Sequence, residues 1–229
     1  MDVRRYDDLC ELSEAAARLV VEDCRQALAN GKASYTLGVS GGRTPALMFD
    51  ALAGLPMPWS QVHLVQVDER VAPSGSTDRN FTQIADRLLA HVDIPQENVH
   101  PMPVEAADLA CACREYEEEL HRVTGGSPLS LLQLGLGDDG HTASLAPRDP
   151  ILGVTDSAIW HVEEFNGLSR MSMTYPLINR AEKLMWLAAG STKAEMCRRL
   201  VASDPAIPAG RVAQENAVLL VDREAGLEL

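Results

Sequence analysis

Two carboxylates and an imidazole stand together in Gly135-Leu136-Gly137-Asp138-Asp139-Gly140-His141. His141 is the side-chain type best suited to move a proton near neutral pH. Either Asp138 or Asp139 is near enough in sequence to meet that ring. Three more clusters bear chemistry: Ser40-Gly41-Gly42-Arg43-Thr44-Pro45, Asp68-Glu69-Arg70 and Gly190-Ser191-Thr192-Lys193. The first and last combine glycines with a cation, the composition of a loop whose backbone N–H groups gather around an anion. A lysine at the start of a helix opposes the macrodipole preference, which also points to a bound anion at Lys193.

The elements around these clusters are read from periodicity. Residues 10–29 carry apolar side chains at helical spacing and close on Asn30-Gly31, a glycine helix end. Tyr35–Val39 reads as a buried strand running into the Ser40 loop. Thr44 is then expected as N-cap and Pro45 as the first residue of a helix reaching about Leu52. Val62–Val67 is a second strand, with Asp68-Glu69-Arg70 in the loop at its end. Asp78 or Asn80 caps the helix that follows, and residues 91–104 are loop. A further amphipathic helix carries Ala106 to Leu120. The run ending at Gly135 is a buried strand, and Gly135, Gly137 and Gly140 are expected to let the backbone take φ > 0 and approach a ligand closely. Short strands follow at 158–162 and 171–174, with Arg170 between loop and strand. A brief helix is read at 176–180 and a buried strand at 183–189. The Gly190 loop and its helix come next, and then a closing strand at 218–221. Strands alternating with helices predict an α/β protein whose ligands sit at the strand ends.

Composition narrows the class. The 229 residues are 46% hydrophobic and 23% charged, as in a globular domain. Formal net charge is −13, which disfavours nucleic acid and anionic membrane as partners. An anionic ligand then requires a local basic cluster. No apolar run reaches the roughly 18 residues of a membrane helix, and the first residues lack a signal-peptide core. Five scattered cysteines predict a reducing, cytoplasmic setting rather than a disulfide framework. Cys111 and Cys113 lie two apart on a helix, hence about 200° apart around it, and cannot chelate together. No metal or other cofactor is expected. Nothing in the sequence sets an oligomeric state.

Taken together, Ser40 to Pro45, Asp68 to Arg70, Gly137 to Leu145 and Gly190 to Lys193 occur in the order seen in 6-phosphogluconolactonases, and the chain resembles that family over nearly its whole length. The resemblance implies one domain over 1–229, with a modified Rossmann-like doubly wound sheet. That fold is shared with glucosamine-6-phosphate deaminases and ribose-5-phosphate isomerases. It also implies an enzyme of the oxidative pentose phosphate pathway, hydrolysing 6-phospho-D-glucono-1,5-lactone without a metal. The roles it assigns are general base for His141 and orientation of that base for Asp139. Arg70 would stabilise the oxyanion. Substrate binding would fall to Asp68, Ser40, Gly41, Gly42, Arg43, Thr44 and Lys193, with Arg170 a further candidate for the phosphate cluster. Three positions depart from the family's usual pattern: Arg79 where serine is frequent, Arg43 where serine is common, and Ala146 where phenylalanine is usual.

Three rival readings use the same residues. An amino-sugar phosphate isomerase or deaminase shares the fold, but its family reads Asp-Glu-Tyr where Asp68-Glu69-Arg70 stands. A non-catalytic sugar-phosphate sensor needs an output module that this chain does not show. Gly38-Val39-Ser40-Gly41-Gly42 matches a nucleophile elbow, which would make Ser40 a hydrolase nucleophile. Against that, it follows the first expected strand and its helix starts late, so a serine donating through its backbone is preferred.

Overall fold

Strands with two apolar faces must be covered on both sides, and the chain does this with helices wound in two directions. The computed structural model describes residues 1–229. In chain order the elements are β1 (Asp2–Tyr6), α1 (Leu9–Ala29), β2 (Tyr35–Val39), α2 (Arg43–Ala53), β3 (Val62–Gln66), β4 (Asp68–Arg70), α3 (Asn80–Arg87) and β5 (Val99–His100). They continue with α4 (Leu109–Thr124), β6 (Leu131–Gly135), β7 (Ile159–Phe165), β8 (Leu168–Met173), α5 (Tyr175–Ile178), β9 (Lys183–Ala188), α6 (Ala194–Val201) and β10 (Ala217–Asp222). Seven strands form one parallel sheet in the order β1-β10-β9-β6-β2-β3-β5.

Alternate residues of the central strands serve opposite cores. Leu131, Met185, Leu187, Val218 and Leu220 pack with α1, α2 and α3. Leu132, Leu134, Trp186, Leu219 and Val221 pack with α4 and α6 on the other face. From β2 the chain winds outward through β3 and β5; from β6 it winds the other way through β9 and β10. The switch point lies between β2 and β6, where diverging loops leave a crevice at the carboxyl ends. The loops after β2, β6 and β9, far apart in sequence, are neighbours there.

The structure revises several expected elements. Asp68-Glu69-Arg70 is not loop but strand β4, one residue beyond β3, in a small antiparallel sheet ordered β4-β8-β7. Arg170 accordingly lies inside β8, opposite Arg70. Main-chain bonds from Val67 to Val39 (2.9 Å) and from Met173 to Val67 (2.9 Å) fasten this sheet to the end of the larger one. Neither Asp78 nor Asn80 caps α3; the buried carboxylate of Glu69 accepts the N–H groups of Asn80 and Phe81, each at 2.7 Å. The edge strands β1 and β5 were not expected, since neither carries a long apolar run. No helix is long and apolar enough to cross a membrane.

Candidate active site

At the switch point the glycine loops enclose a cleft of about 370 Å³. Ser40, Gly41, Gly42, Arg43, Thr44, Asp68, Arg70, His141, Arg170 and Lys193 all line it. Of the expected site residues only Asp139 does not; it stands behind His141. Asn80, Thr192 and Ala143 line it too, and went unnoticed as site residues in the sequence.

The β6 loop is built around the imidazole. Asp139 Oδ1 lies 2.6 Å from His141 Nδ1 and also accepts the His141 backbone N–H at 3.0 Å. A residue that accepts its i+2 amide is the usual habit of aspartate in a turn. Here it fixes the ring as well, which settles the choice between the two carboxylates. Asp138 points elsewhere, 2.6 Å from Lys193 Nζ and 3.2 Å from Thr192 Oγ1. The bond from Lys193 holds the Asp138 carboxyl below its usual value, with burial opposing and the lysine charge and Thr192 adding to the depression. For Asp139, burial would raise the carboxyl, but the His141 amide and imidazole together outweigh it and hold it below the usual range.

The glycines work differently from expectation. Of the three in this loop only Gly140 has positive φ, +82°. Gly137 is required by proximity: a Cβ there would stand 2.0 Å from His141 Nδ1. Gly41 has the same reason, with Asn80 Oδ1 at 2.1 Å from the position of its Cβ. Gly137→Ala is therefore expected to swing His141 out toward solvent, where its side chain is already 28% exposed. A displacement on that scale lowers kcat/KM by about 100-fold. Thermal unfolding should move little, so activity and melting measured together test the claim.

In the β2 loop Gly42, with φ +127°, is the N-cap and α2 begins at Arg43, so Thr44 is not the cap. Pro45 still lies in the first turn, where its missing N–H costs nothing. The amides of Ser40 and Gly42 are not free for a ligand, because Gln133 Oε1 (3.0 Å) and Gln83 Oε1 (2.9 Å) accept them. This corrects the expectation that Ser40 donates through its backbone. What remains for an anion is the Ser40 hydroxyl, the Gly41 amide, the first-turn amides of α2, and the exposed Arg43. Ser40 Oγ is buried and makes no hydrogen bond within the protein, so no histidine activates it as a nucleophile elbow would require.

The small sheet supplies the opposite wall. Asp68 is buried; its Oδ2 accepts Ser144 Oγ at 2.9 Å and its carbonyl accepts Asn80 Nδ2 at 2.9 Å. Arg70 Nη1 donates to the Asp78 carbonyl at 2.8 Å, while its buried Nε has no protein acceptor. Burial lowers the Arg170 guanidinium, and Asp68 partly restores it. Arg79 turns away from the cleft, toward Glu69 at 3.8 Å and Glu105 at 3.3 Å.

A parallel sheet wound both ways from one switch point, with an imidazole–carboxylate pair and several cations in its crevice, is the architecture of a doubly wound α/β enzyme acting on a small anion. Sequence comparison makes the assignment specific. Residues 7–221 match the model of the glucosamine-6-phosphate isomerases/6-phosphogluconolactonase family, and the chain belongs to that family. A 6-phosphogluconolactonase of Synechocystis sp. is 39% identical over 203 residues, covering 85% of this chain and 84% of its own. The crystal structure of a 6-phosphogluconolactonase from Thermotoga maritima superposes with a TM-score of 0.83 at 27% identity, covering 97% of this chain and 99% of the other. A monomeric glucosamine-6-phosphate deaminase has the same fold, with a TM-score of 0.83 at 23% identity and full coverage of both chains.

Proposed function

We propose that this protein hydrolyses 6-phospho-D-glucono-1,5-lactone to 6-phospho-D-gluconate, the reaction of the oxidative pentose phosphate pathway, with His141 as general base. The observation that carries the mechanism is the 2.6 Å contact between His141 Nδ1 and Asp139. It favours the tautomer with the proton on Nδ1, leaving Nε2 as a lone pair able to take a proton from water. The water oxygen would bond to the lactone carbonyl carbon, and Arg70 would stabilise the resulting oxyanion. Collapse would break the bond to the ring oxygen, which receives the proton from His141. The new carboxylic acid then loses its own proton to solvent, so each turnover releases one acid equivalent.

The 6-phosphate would lie against the Ser40 hydroxyl, the first-turn amides of α2, Arg43, Thr44 and Lys193, with Gly41 and Gly42 allowing close approach. Asp68 would accept from a sugar hydroxyl. Arg170, opposite Arg70 in the small sheet, would add to the positive field over the anionic substrate. The fold is shared with a deaminase, so the fold does not choose between the chemistries. The identity to lactonases does, with an arginine rather than an uncharged side chain at Arg70 in support. Five unpaired cysteines suit the reducing cytoplasm, and the proposed partner is this small phosphorylated lactone alone.

The test is freshly prepared 6-phosphogluconolactone, with 6-phosphogluconate formation followed through a coupled assay against spontaneous hydrolysis. No acceleration by the wild-type protein sinks the reading, and ammonia release from glucosamine 6-phosphate would replace it with the deaminase. For Lys193→Ala the expected result is a KM raised about tenfold with kcat nearly unchanged, because a phosphate remote from the reacting carbon contributes mostly uniform binding. A fall in kcat as large as the rise in KM would instead place the lysine at the chemistry.

A further inference from the structure

Phe165 touches both the proposed base and the arginine across the cleft, although it does not itself line the cleft. Its ring meets the His141 imidazole edge-on, with centroids 4.8 Å apart and planes at 81°. The Arg170 guanidinium carbon lies 4.6 Å from the centroid of the same ring. Arg170 Nε also donates to the Phe165 carbonyl at 3.1 Å. Edge-to-face aromatic pairs and guanidinium–ring stacking each add an orientation preference beyond the area they bury.

The backbone is bent to put Phe165 there. Strict alternation from the buried Val162 would turn residue 164 inward and residue 165 outward. Instead the β7–β8 register shifts between Val162 and Phe165. Glu163 and Glu164 both stay outside, and Phe165 turns in and is buried. A bulge beside a site commonly re-aims one side chain. Asn166 and Gly167, with φ of +55° and +79°, then close the hairpin as this turn type requires.

We infer that Phe165 is a positioning residue for the lactonase reaction, holding the His141 imidazole and the Arg170 guanidinium in fixed relation through one shared ring. This rests on His141 being the base. Asp139 fixes one ring nitrogen but leaves the imidazole free to pivot about that bond; the edge of Phe165 removes that freedom. The charged groups around His141 are Asp139 in its own loop, the Asp138–Lys193 pair beside it, Asp68 and Arg70 across the cleft, and Arg170 behind the Phe165 ring. Replacing Phe165 changes none of their identities, so a change in the imidazole's signal reports its orientation.

The test compares wild type, Phe165→Leu and Phe165→Tyr as full chains. With the lactone, the leucine variant is expected to lose about tenfold in kcat with KM within about twofold, since a base shifted by a fraction of an ångström costs rate rather than binding. The tyrosine variant, which keeps the ring, should recover most of the kcat. Independently of turnover, the His141 Cε1–H signal, assigned with His141→Gln, is followed by NMR. An imidazole held in one orientation gives one sharp signal and one that pivots gives a broadened or split signal, so the signal should broaden in Phe165→Leu and stay sharp in Phe165→Tyr. Wild-type kcat and an unbroadened signal in Phe165→Leu would overturn the inference. So would a tyrosine variant as impaired as the leucine one. If the wild type has no lactonase activity, the proposed function fails, and the NMR signal still decides whether Phe165 sets the imidazole. Should Phe165→Leu not fold, Phe165→Met carries the same measurements.

Discussion

His141→Ala is expected to lower kcat by about 10²–10⁴-fold, the usual contribution of one positioned general base. The fold should survive, because the imidazole is partly exposed and its main-chain bonds do not depend on the side chain. The Gly137 amide still donates to the residue 141 carbonyl (2.8 Å), and Asp139 still accepts the residue 141 N–H. KM should change far less than kcat, since the proposed phosphate and sugar contacts lie elsewhere in the cleft. The lactone also opens spontaneously, so the variant must be measured against the buffer rate at several protein concentrations. Full activity in His141→Ala would remove the base assignment while leaving the lactonase function intact. Asp139, held below the ordinary carboxylate range, stays ionised at neutral pH and should not itself shape the kcat/KM profile there.

Glu69→Ala should be the most damaging change to stability, about 3–5 kcal/mol, the cost of removing one partner from a buried charged network. Its fully buried carboxylate accepts the amides of Arg70, Asn80 and Phe81, each at 2.7 Å, and Gln66 Nε2 at 2.8 Å. The Arg79 guanidinium is 3.8 Å away. Alanine would strand four donors and leave a buried cation with only the exposed Glu105 for company. Activity should fall as well, because the same carboxylate joins β4, which carries Asp68 and Arg70, to α3, which carries Asn80. Urea unfolding gives the stability change directly. A loss below about 1 kcal/mol, an ordinary net hydrogen bond, would mean that water replaces the carboxylate and that Glu69 is not the joint.

Much of the site was legible because its signals are local. A glycine turn between an apolar run and a helix needs only neighbouring residues, so the Ser40, Gly137 and Gly190 loops could be placed beforehand. Asn166-Gly167 is a local turn signal of the same kind, and it pairs 159–165 with 168–173 and so places Arg170 in a strand. Glu69 was not legible. A carboxylate that caps a helix eleven residues away looks like any charge after a strand, whereas Asn80 in the cap position is the ordinary choice. Phe165 was invisible for a related reason. Its burial depends on a bulge, which is decided by cross-strand pairing rather than by the alternation of side chains along one strand.

The sequence by itself determined which residue types could do the chemistry, the main alternation of strands and helices, and membership in a family that hydrolyses or isomerises phosphosugars. It did so because backbone geometry, apolar periodicity and glycine turns act over a few residues. Only the tertiary structure decided that Asp139 meets His141 while Asp138 meets Lys193. It alone set Arg170 opposite Arg70 and spent the Ser40 and Gly42 amides on glutamines. Those choices rest on contacts a few ångströms long between residues from 41 to 100 positions apart, or on which way a side chain turns in a crowded loop. Distances of that kind are fixed when the strands take their places in the sheet, and spacing along the chain does not encode them.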